Sequence, residues 1–197
     1  TNHDLYWVGA DGSRGARLTP APGADFLPAR SPNGQKIAFT SGRGGAYQLW
    51  IMNVNGSAQT RFSPSGFTSS SWPTWSPDGS KLAFAGTQSG GGGKQVYVMN
   101  ADGTGMVRLT KSPGSNYAPA WSPNGKRIAF VSDRSGTRQI WLMDADGDRP
   151  RRLAGDAGKH SHPTFSPSGK RVAFASTRTG TNQIWTVRSN GSNARNL

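Results

Sequence analysis

The sequence predicts an all-β propeller of four-stranded antiparallel blades, with four full blades and a half-blade at the N-terminus. A Ser-Pro-x-Gly turn recurs in steps of 45, 46 and 44 residues, at 31–34, 76–79, 122–125 and 166–169. An aromatic residue within an apolar run recurs in steps of 43, 47, 44 and 44 residues, at Trp7, Trp50, Tyr97, Trp141 and Trp185. A fixed period of this length is typical of repeat architectures, and four short strands per period indicate a propeller blade.

One unit, residues 119–153, shows how the strands of a blade are bounded. Pro and Gly favour a tight turn at 123–125, because Pro fixes its φ angle and Gly accepts a positive one. Short runs between Gly, Asn and Asp turns are typical of strands, and no stretch has the sustained 3.6-residue apolar period of a helix. The predicted strands are a at 119–122, b at 126–132, c at 138–144 and d at 151–153.

The N-terminal segment supplies only the outer two strands of a blade, with strand c at 4–10 and strand d at 16–19. Three explanations stay open: the chain is a fragment, it is completed by a second copy whose open ends pair in trans, or it forms a small closed ring. Unpaired strand edges would favour self-association. The predicted divisions of the one propeller domain are 1–27 for the partial blade and its connection, then 28–72, 73–118, 119–162 and 163–197 for blades 1 to 4.

One repeat position departs from its equivalents. It is Trp75, Trp121 and Phe165 in blades 2 to 4 but Arg30 in blade 1. The position either packs between blades, so that Arg30 marks an unlike interface, or Arg30 extends past its neighbours to water.

The composition excludes several kinds of chemistry. The 197 residues include no Cys, which removes disulfides and thiol nucleophiles, and no Glu, which removes a Glu general base. No apolar run reaches the roughly 20 residues that a membrane span needs, and no signal peptide is visible. The formal charge is +13. Periodic Lys and Arg would form rings of positive charge, which either hold an anionic polymer or only protect solvated edge strands.

The repeat also resembles a known family. The elements Pro-x-Trp-Ser-Pro-Asp/Asn-Gly-x-x-Leu/Ile-Ala-Phe, Ser-x-Arg-x-Gly, Gln-Ile-Trp-x-Met-Asn-Ala-Asp-Gly and Arg-Leu-Thr are similar to the PD40 (WD40-like) repeat of TolB-like β-propellers. The resemblance covers nearly the whole chain. It implies a bacterial periplasmic or secreted protein, typically with six blades, although PD40 propellers also accompany serine-peptidase domains.

Candidate ligand-binding residues cluster just before strand a, where the chain enters the central tunnel. Aromatic residues with a polar tip, together with His and Asn, are suited to gripping a ligand. The alternative is that the aromatic residues cap the core of their blades. The candidates are Trp72, Asn116, Tyr117, His160 and His162.

A second candidate set is the arginine of the b–c loops, Arg43, Arg134 and Arg178, which Gln88 replaces in blade 2. Three guanidinium groups around one face could bind carboxylates or phosphates. The alternative is that each arginine belongs to the repeat itself and holds its own loop.

No catalytic residue, metal site or cofactor is expected. The sequence has no Gly-x-Ser-x-Gly elbow, and His160, His162 and Asp156 form a polar loop more readily than a metal or acid/base cluster. Calcium at the turn 144–148 is disfavoured, because no bidentate Glu is present. We therefore expect a non-catalytic binding or scaffolding propeller that presents a loop face and tunnel mouth to a protein, peptide or glycan. A nucleic-acid partner is not expected. The alternatives are a propeller that gates the substrate of a larger peptidase or polysaccharide lyase, and a lectin-like or anionic-polymer binder.

Overall fold

A computed structural model describes residues 3–154 and 157–197, which form 18 β-strands and no helix. Each blade is a separate sheet whose four strands follow one another in chain order, all antiparallel, and a two-stranded sheet precedes them. The predicted propeller of four blades with a partial blade at the N-terminus is confirmed.

The strands have the following bounds. The partial blade holds β1 (Tyr6–Trp7) and β2 (Ala16–Arg17). Blade 1 holds β3 (Asp25–Arg30), β4 (Lys36–Ser41), β5 (Gln48–Asn53) and β6 (Thr60–Arg61). Blade 2 holds β7 (Phe67–Trp75), β8 (Lys81–Gln88), β9 (Gln95–Asn100) and β10 (Val107–Arg108). Blade 3 holds β11 (Asn116–Trp121), β12 (Arg127–Ser132), β13 (Gln139–Asp144) and β14 (Arg151–Ala154). Blade 4 holds β15 (His160–Phe165), β16 (Arg171–Ser176), β17 (Gln183–Arg188) and β18 (Arg195–Asn196).

The first strand of each blade begins earlier than the sequence predicts. In blade 3 it starts at Asn116, three residues before Pro119. The register shifts between Tyr117 and Ala120, so that two residues of β11 lie opposite one residue of β12. This bulge accommodates a proline that has no N–H to donate to the ladder. The proline that suggested the start of a strand therefore lies in its middle.

The hydrophobic core lies between blades and not within them. Each of four buried clusters combines residues of neighbouring sheets, as when Ala38 and Leu49 of blade 1 pack with Leu82, Phe84 and Met99 of blade 2. A single four-stranded sheet leaves both faces bare, so stacking blades is what removes the apolar surface from water. The partial blade takes part, because Leu5 and Leu18 pack against blade 1.

The unlike position in blade 1 is explained by its surroundings. Trp75 in blade 2 reaches its neighbour, and its indole Nε1–H donates to the carbonyl oxygen of Ala29 at 3.0 Å. Arg30 instead is exposed and folds over its own turn, where a Cβ on Gly34 would come within 2.6 Å of its guanidinium. Arg30 therefore extends to water, one of the two alternatives that the sequence left open.

The Ser-Pro-x-Gly turns are held by their own side chains. The Ser76 hydroxyl donates to Asp78 Oδ1 at 2.5 Å and accepts from the Lys81 N–H at 2.9 Å. The hydrogen bond from Ser76, followed by those from Ser80, lowers the pKa of Asp78 from 3.8 to about 2. Asn33 and Asn124 accept the same serine hydrogen bond in blades 1 and 3.

The first prediction concerns this turn in acid. Because the pKa of Asp78 is lower in the folded protein than its ordinary 3.8, its contribution to stability is present above about pH 4 and is lost as the pH falls towards 2. We expect Asp78→Asn to fold normally at pH 7 and to flatten the pH dependence of the unfolding free energy between pH 4 and 2. The effect is small because the group is exposed. Denaturant titrations of both proteins from pH 2 to 5 check it, and identical pH slopes would contradict it.

Candidate functional site at the propeller axis

Four X-Pro steps meet at the axis of the propeller, one from the first strand of each blade. In each step the residue before proline is not glycine yet has a positive φ: 54° at Leu27, 61° at Trp72, 51° at Ala118 and 53° at His162. Positive φ is uncommon for such residues, and repeated instances often accompany functional sites. The steps enclose an open pocket of about 280 Å³, lined by Leu27, Pro28, Trp72, Pro73, Ala118, Pro119, His162, Pro163 and Thr164.

Three of the predicted site residues lie together at this pocket, although they come from three different blades. Trp72 and His162 line the pocket, and Tyr117 lies beside Trp72 without lining it. The ring centroid of Trp72 lies 6.0 Å from that of Tyr117 and 5.2 Å from that of His162. The Trp72 side chain is half-buried, and the Trp72 backbone N–H donates to Thr40 Oγ1 of blade 1 at 3.3 Å. Burial raises the pKa of the Tyr117 hydroxyl, an effect that Arg138 opposes. The cluster therefore places aromatic faces and an imidazole on one surface.

The other two axial candidates, Asn116 and His160, are fully buried within their blades. Asn116 Nδ2 donates to Gln95 Oε1 at 3.0 Å, so this amide joins blades 2 and 3. The imidazole of His160 packs edge-on against Phe174, with ring centroids 5.1 Å apart. Both stand at the equivalent position of their blades, and neither lines the axial pocket.

The three loop arginines lie over aromatic residues of their own blades. The guanidinium carbon is 4.9 Å from the Trp50 ring centroid for Arg43, 4.3 Å from Trp141 for Arg134 and 4.1 Å from Trp185 for Arg178. Each also lies within 6 Å of the phenylalanine on the neighbouring strand b. Such cation–π contacts strengthen when they are shielded from water. Each arginine thus covers the aromatic residues of strands b and c in its own blade.

Two of these arginines also bind the buried polar residue that begins their blade. Arg43 Nη2 forms an ion pair with Asp25 Oδ2 at 2.8 Å, and the carboxylate side chain is fully buried. Arg134 Nη2 donates to Asn116 Oδ1 at 2.8 Å, and burial lowers the pKa of Arg134. The b–c loop is therefore tied to the first strand of the same blade.

Blade 2 has Gln88 at this position, and a different residue, Phe67, covers the aromatic residues of its strands b and c. Phe67 packs edge-on against Phe84 and Tyr97, with centroids 5.7 and 4.9 Å away. It occupies the space that a side chain at Gly86 would need, since a Cβ there would lie 2.5 Å from the Phe67 ring. In the other blades, the position of Gly86 is taken by Ser41, Ser132 or Ser176.

A larger groove that sequence reasoning missed lies on the opposite face, which we call the turn face because the a–b and c–d turns form it. The groove between blades 2 and 3 has a volume of about 990 Å³ and carries side chains of both charges. These include Lys81 and Arg127 beside Asp78, Asp144 and Asp146. The signal that could have found it is the regular recurrence of charged residues just after each Ser-Pro-x-Gly turn.

No group of three His or Asp side chains that could hold a metal ion occurs among residues 3–154 and 157–197. Asp156, which the sequence placed beside His160 and His162, lies outside the described residues. In the same part of the chain, no helix is long and apolar enough to cross a membrane. The axial pocket presents aromatic and proline side chains, which are suited to apolar contacts.

The family model for the TolB beta propeller domain (PD40) matches residues 65–156 and 112–197. The chain belongs to this TolB β-propeller family. Among solved structures, TolB from Acinetobacter baumannii is similar over 98% of this chain and 48% of its own, with 23% identity and a TM-score of 0.85. A putative TolB from Agrobacterium tumefaciens is similar over 93% of this chain and 83% of its own, with 21% identity and a TM-score of 0.75.

Two curated protein sequences match shorter segments of this chain. A protein TolB homolog of Chlorobium luteolum is 40% identical over 60 residues, which are 30% of this chain and 14% of the relative. An uncharacterized protein of Agrobacterium fabrum is 37% identical over 82 residues, 41% of this chain and 27% of the relative. The chain thus spans a minor part of these curated relatives. A puromycin-hydrolyzing peptidase of Mycobacterium tuberculosis shares the fold over 99% of this chain and 35% of its own, with 16% identity and a TM-score of 0.75.

Proposed function

We propose that this TolB-like propeller is a non-catalytic binding module that holds a peptide segment of a protein partner at the axial pocket, in the periplasm or outside a bacterial cell. The observation that carries the proposal is the convergence of Trp72, Tyr117 and His162 from three blades. In each blade, the side chain that reaches the axial pocket belongs to a non-glycine residue with a strained, positive φ before a proline. All four steps line one pocket, and this shared position supports a common binding surface.

The lining of the pocket supports a peptide over a glycan. Four prolines and two aromatic residues, with few hydrogen-bond donors, suit an apolar or aromatic peptide side chain. In this proposal the loop arginines support the function indirectly, because their contacts with aromatic residues hold the b–c loops. In this proposal Asn116 and His160 fix the inner strands that position the pocket.

The second prediction tests the pocket with peptides selected on the wild-type protein from a random display library. We expect Trp72→Ala to weaken their binding by about 30-fold or more, because buried tryptophans are the commonest interface hot spots. The matched control is Tyr6→Ala, which removes an aromatic side chain of the partial blade that is 65% exposed and does not line the pocket. Titration calorimetry compares the three proteins. Selected peptides that bind Trp72→Ala as tightly as wild type would refute the axial site.

The peptidase-associated alternative uses the same propeller as a gate, and its supporting observation is the peptidase structure that shares the fold. It requires a hydrolase domain in the same polypeptide. The sequence of the complete gene decides the matter: a catalytic domain next to the propeller would replace the binding proposal by the gating one.

A further inference from the structure

Blade 4 differs from the other blades in its charge. Residues 157–197 contain six Lys or Arg and no Asp or Glu. On the turn face, positions that hold acidic or neutral residues in the other blades hold basic or neutral residues in blade 4. The residue that ends strand c is Asn53, Asn100 and Asp144 in blades 1 to 3, but Arg188 in blade 4.

This change places two like charges directly opposite one another. The residue at the start of strand b pairs with the one that ends strand c, and the pairs are Lys36↔Asn53, Lys81↔Asn100 and Arg127↔Asp144. In blade 1 the Lys36 Nζ donates to Asn53 Oδ1 at 2.8 Å. In blade 4 the pair is Arg171↔Arg188. Like charges in direct cross-strand pairs destabilise a sheet, so blade 4 keeps an arrangement that costs stability.

The cost is only partly relieved within the protein. Arg171 donates to Thr186 Oγ1 at 2.7 Å and to the Asn193 carbonyl oxygen at 3.1 Å. The side chains of Arg188 and Lys170 make no hydrogen bond or ion pair with any residue that the structure describes. Two positive side chains therefore face solvent beside a third.

These side chains line two adjoining grooves. One, of about 460 Å³, is lined by Lys170, Arg171, Arg188, Ser189 and Asn190. The other, of about 390 Å³, runs between blades 3 and 4, shares Lys170 and Ser189, and adds Arg127. Neither is lined by an acidic residue, in contrast to the groove between blades 2 and 3. The groove between blades 2 and 3 is equivalent to the one between blades 3 and 4, and it stays open although a blade packs on each side of it. A neighbouring blade therefore forms a wall of such a groove and does not cover it.

We propose that this basic groove of blade 4 binds an acidic segment of a protein partner, at a surface separate from the axial pocket. Carboxylates match the planar donors of arginine, and charged hydrogen bonds of this kind are stronger than neutral ones. Single-stranded nucleic acid needs aromatic platforms for its bases, and no aromatic residue lines either groove. A lipid surface would be met by large apolar side chains that enter it, and among the described residues the only apolar side chains that line the two grooves are those of Pro123 and Pro167.

The third prediction uses a peptide of eight consecutive glutamates as the probe, with the corresponding glutamine peptide as the neutral reference. We expect the glutamate peptide to bind the wild-type protein in low salt and the glutamine peptide not to bind. Arg188→Asn should weaken binding about fivefold, the effect of an exposed charge pair strengthened by neighbouring charges. The variant should fold, because Asn is the residue of blades 1 and 2 at this position. The matched control is Arg61→Gln, which removes one exposed charge from β6 of blade 1.

The outcomes separate this proposal from its rivals and from the axial site. Equal weakening by Arg61→Gln and Arg188→Asn would show that only net charge matters, and would overturn the proposal. The proposal would also be overturned if the glutamate peptide did not bind. Binding of oligothymidine or of phosphatidylglycerol vesicles in its place, if it depended on Arg188, would overturn it as well. Trp72→Ala should bind the glutamate peptide as wild type does, so this proposal and the axial one fail independently.

Discussion

Arg43→Ala is expected to lower the free energy of unfolding by about 3–5 kcal/mol, the usual cost of removing one partner of a buried ion pair. The Asp25 side chain is fully buried, and its Oδ2 lies 2.8 Å from the Arg43 guanidinium. Without that cation the carboxylate stays in the core uncompensated. The variant also loses the contact with Trp50 and the hydrogen bond to Gln59 Oε1. Urea denaturation followed by tryptophan fluorescence measures the change.

Blade 3 suggests the control for this prediction. It has Asn116 where blade 1 has Asp25, and Arg134 binds that neutral amide. We therefore expect Asp25→Asn alone to be well tolerated, and Asp25→Asn combined with Arg43→Ala to recover at least about 1 kcal/mol relative to Arg43→Ala. If the double variant is as unstable as Arg43→Ala, the buried charge is not the cause. If Arg43→Ala keeps wild-type stability, the arginine is free for a ligand and the structural interpretation is wrong.

Phe67→Ala is the second large effect, with an expected cost of about 3–5 kcal/mol for truncating a buried phenylalanine. Phe67 packs against Phe84 and Tyr97 in the one full blade whose b–c loop lacks the arginine. Without the Phe67 ring, one side of Phe84 and Tyr97 would lose its packing partner. The comparison variant is Phe26→Ala in blade 1, a half-buried residue whose blade has Arg43, and we expect a clearly smaller cost. Denaturant unfolding of both variants checks the ranking.

A double-mutant cycle tests whether Phe67 occupies the space of a missing serine. Gly86→Ser places a Cβ 2.5 Å from the Phe67 ring and should cost about 1–3 kcal/mol through overpacking. In the Phe67→Ala background the same substitution fills vacated space and should cost little. Additive costs would show that the two residues do not compete, since coupling between contacting positions is what the cycle measures.

The repeat pattern was sufficient to predict the fold, because propeller blades need the same turns and the same aromatic residues at each interface. The bulges were not predictable in the same way. Pro119 suggested the start of a strand, whereas the strand begins at Asn116 and bends at the X-Pro step. Asn116 and Tyr117 both precede that bend, and consecutive side chains of a strand point to opposite faces, so Tyr117 contacts Trp72 whereas Asn116 is buried. Sequence adjacency had grouped the two residues together.

The role of the loop arginines was visible in the sequence only as one of two alternatives. A sharper signal lay in blade 2, where Gln88 replaces the arginine and Gly86 replaces the serine within three residues of each other. Paired departures in one blade indicate that something else has taken the place of both side chains. The replacement is Phe67, about 20 residues earlier in the chain, and only the three-dimensional packing identifies it.

The placement of each apolar cluster between two sheets has a consequence for how such a chain can be altered by recombination. An exchanged blade would bring one half of two different cores and would meet the unchanged halves of its neighbours. Leu49 and Leu82, for example, belong to blades 1 and 2 but share one cluster. The modular unit of this protein is therefore the seam between two blades. A graft that carries both complete blades of a seam would preserve every residue of the cluster that packs across it.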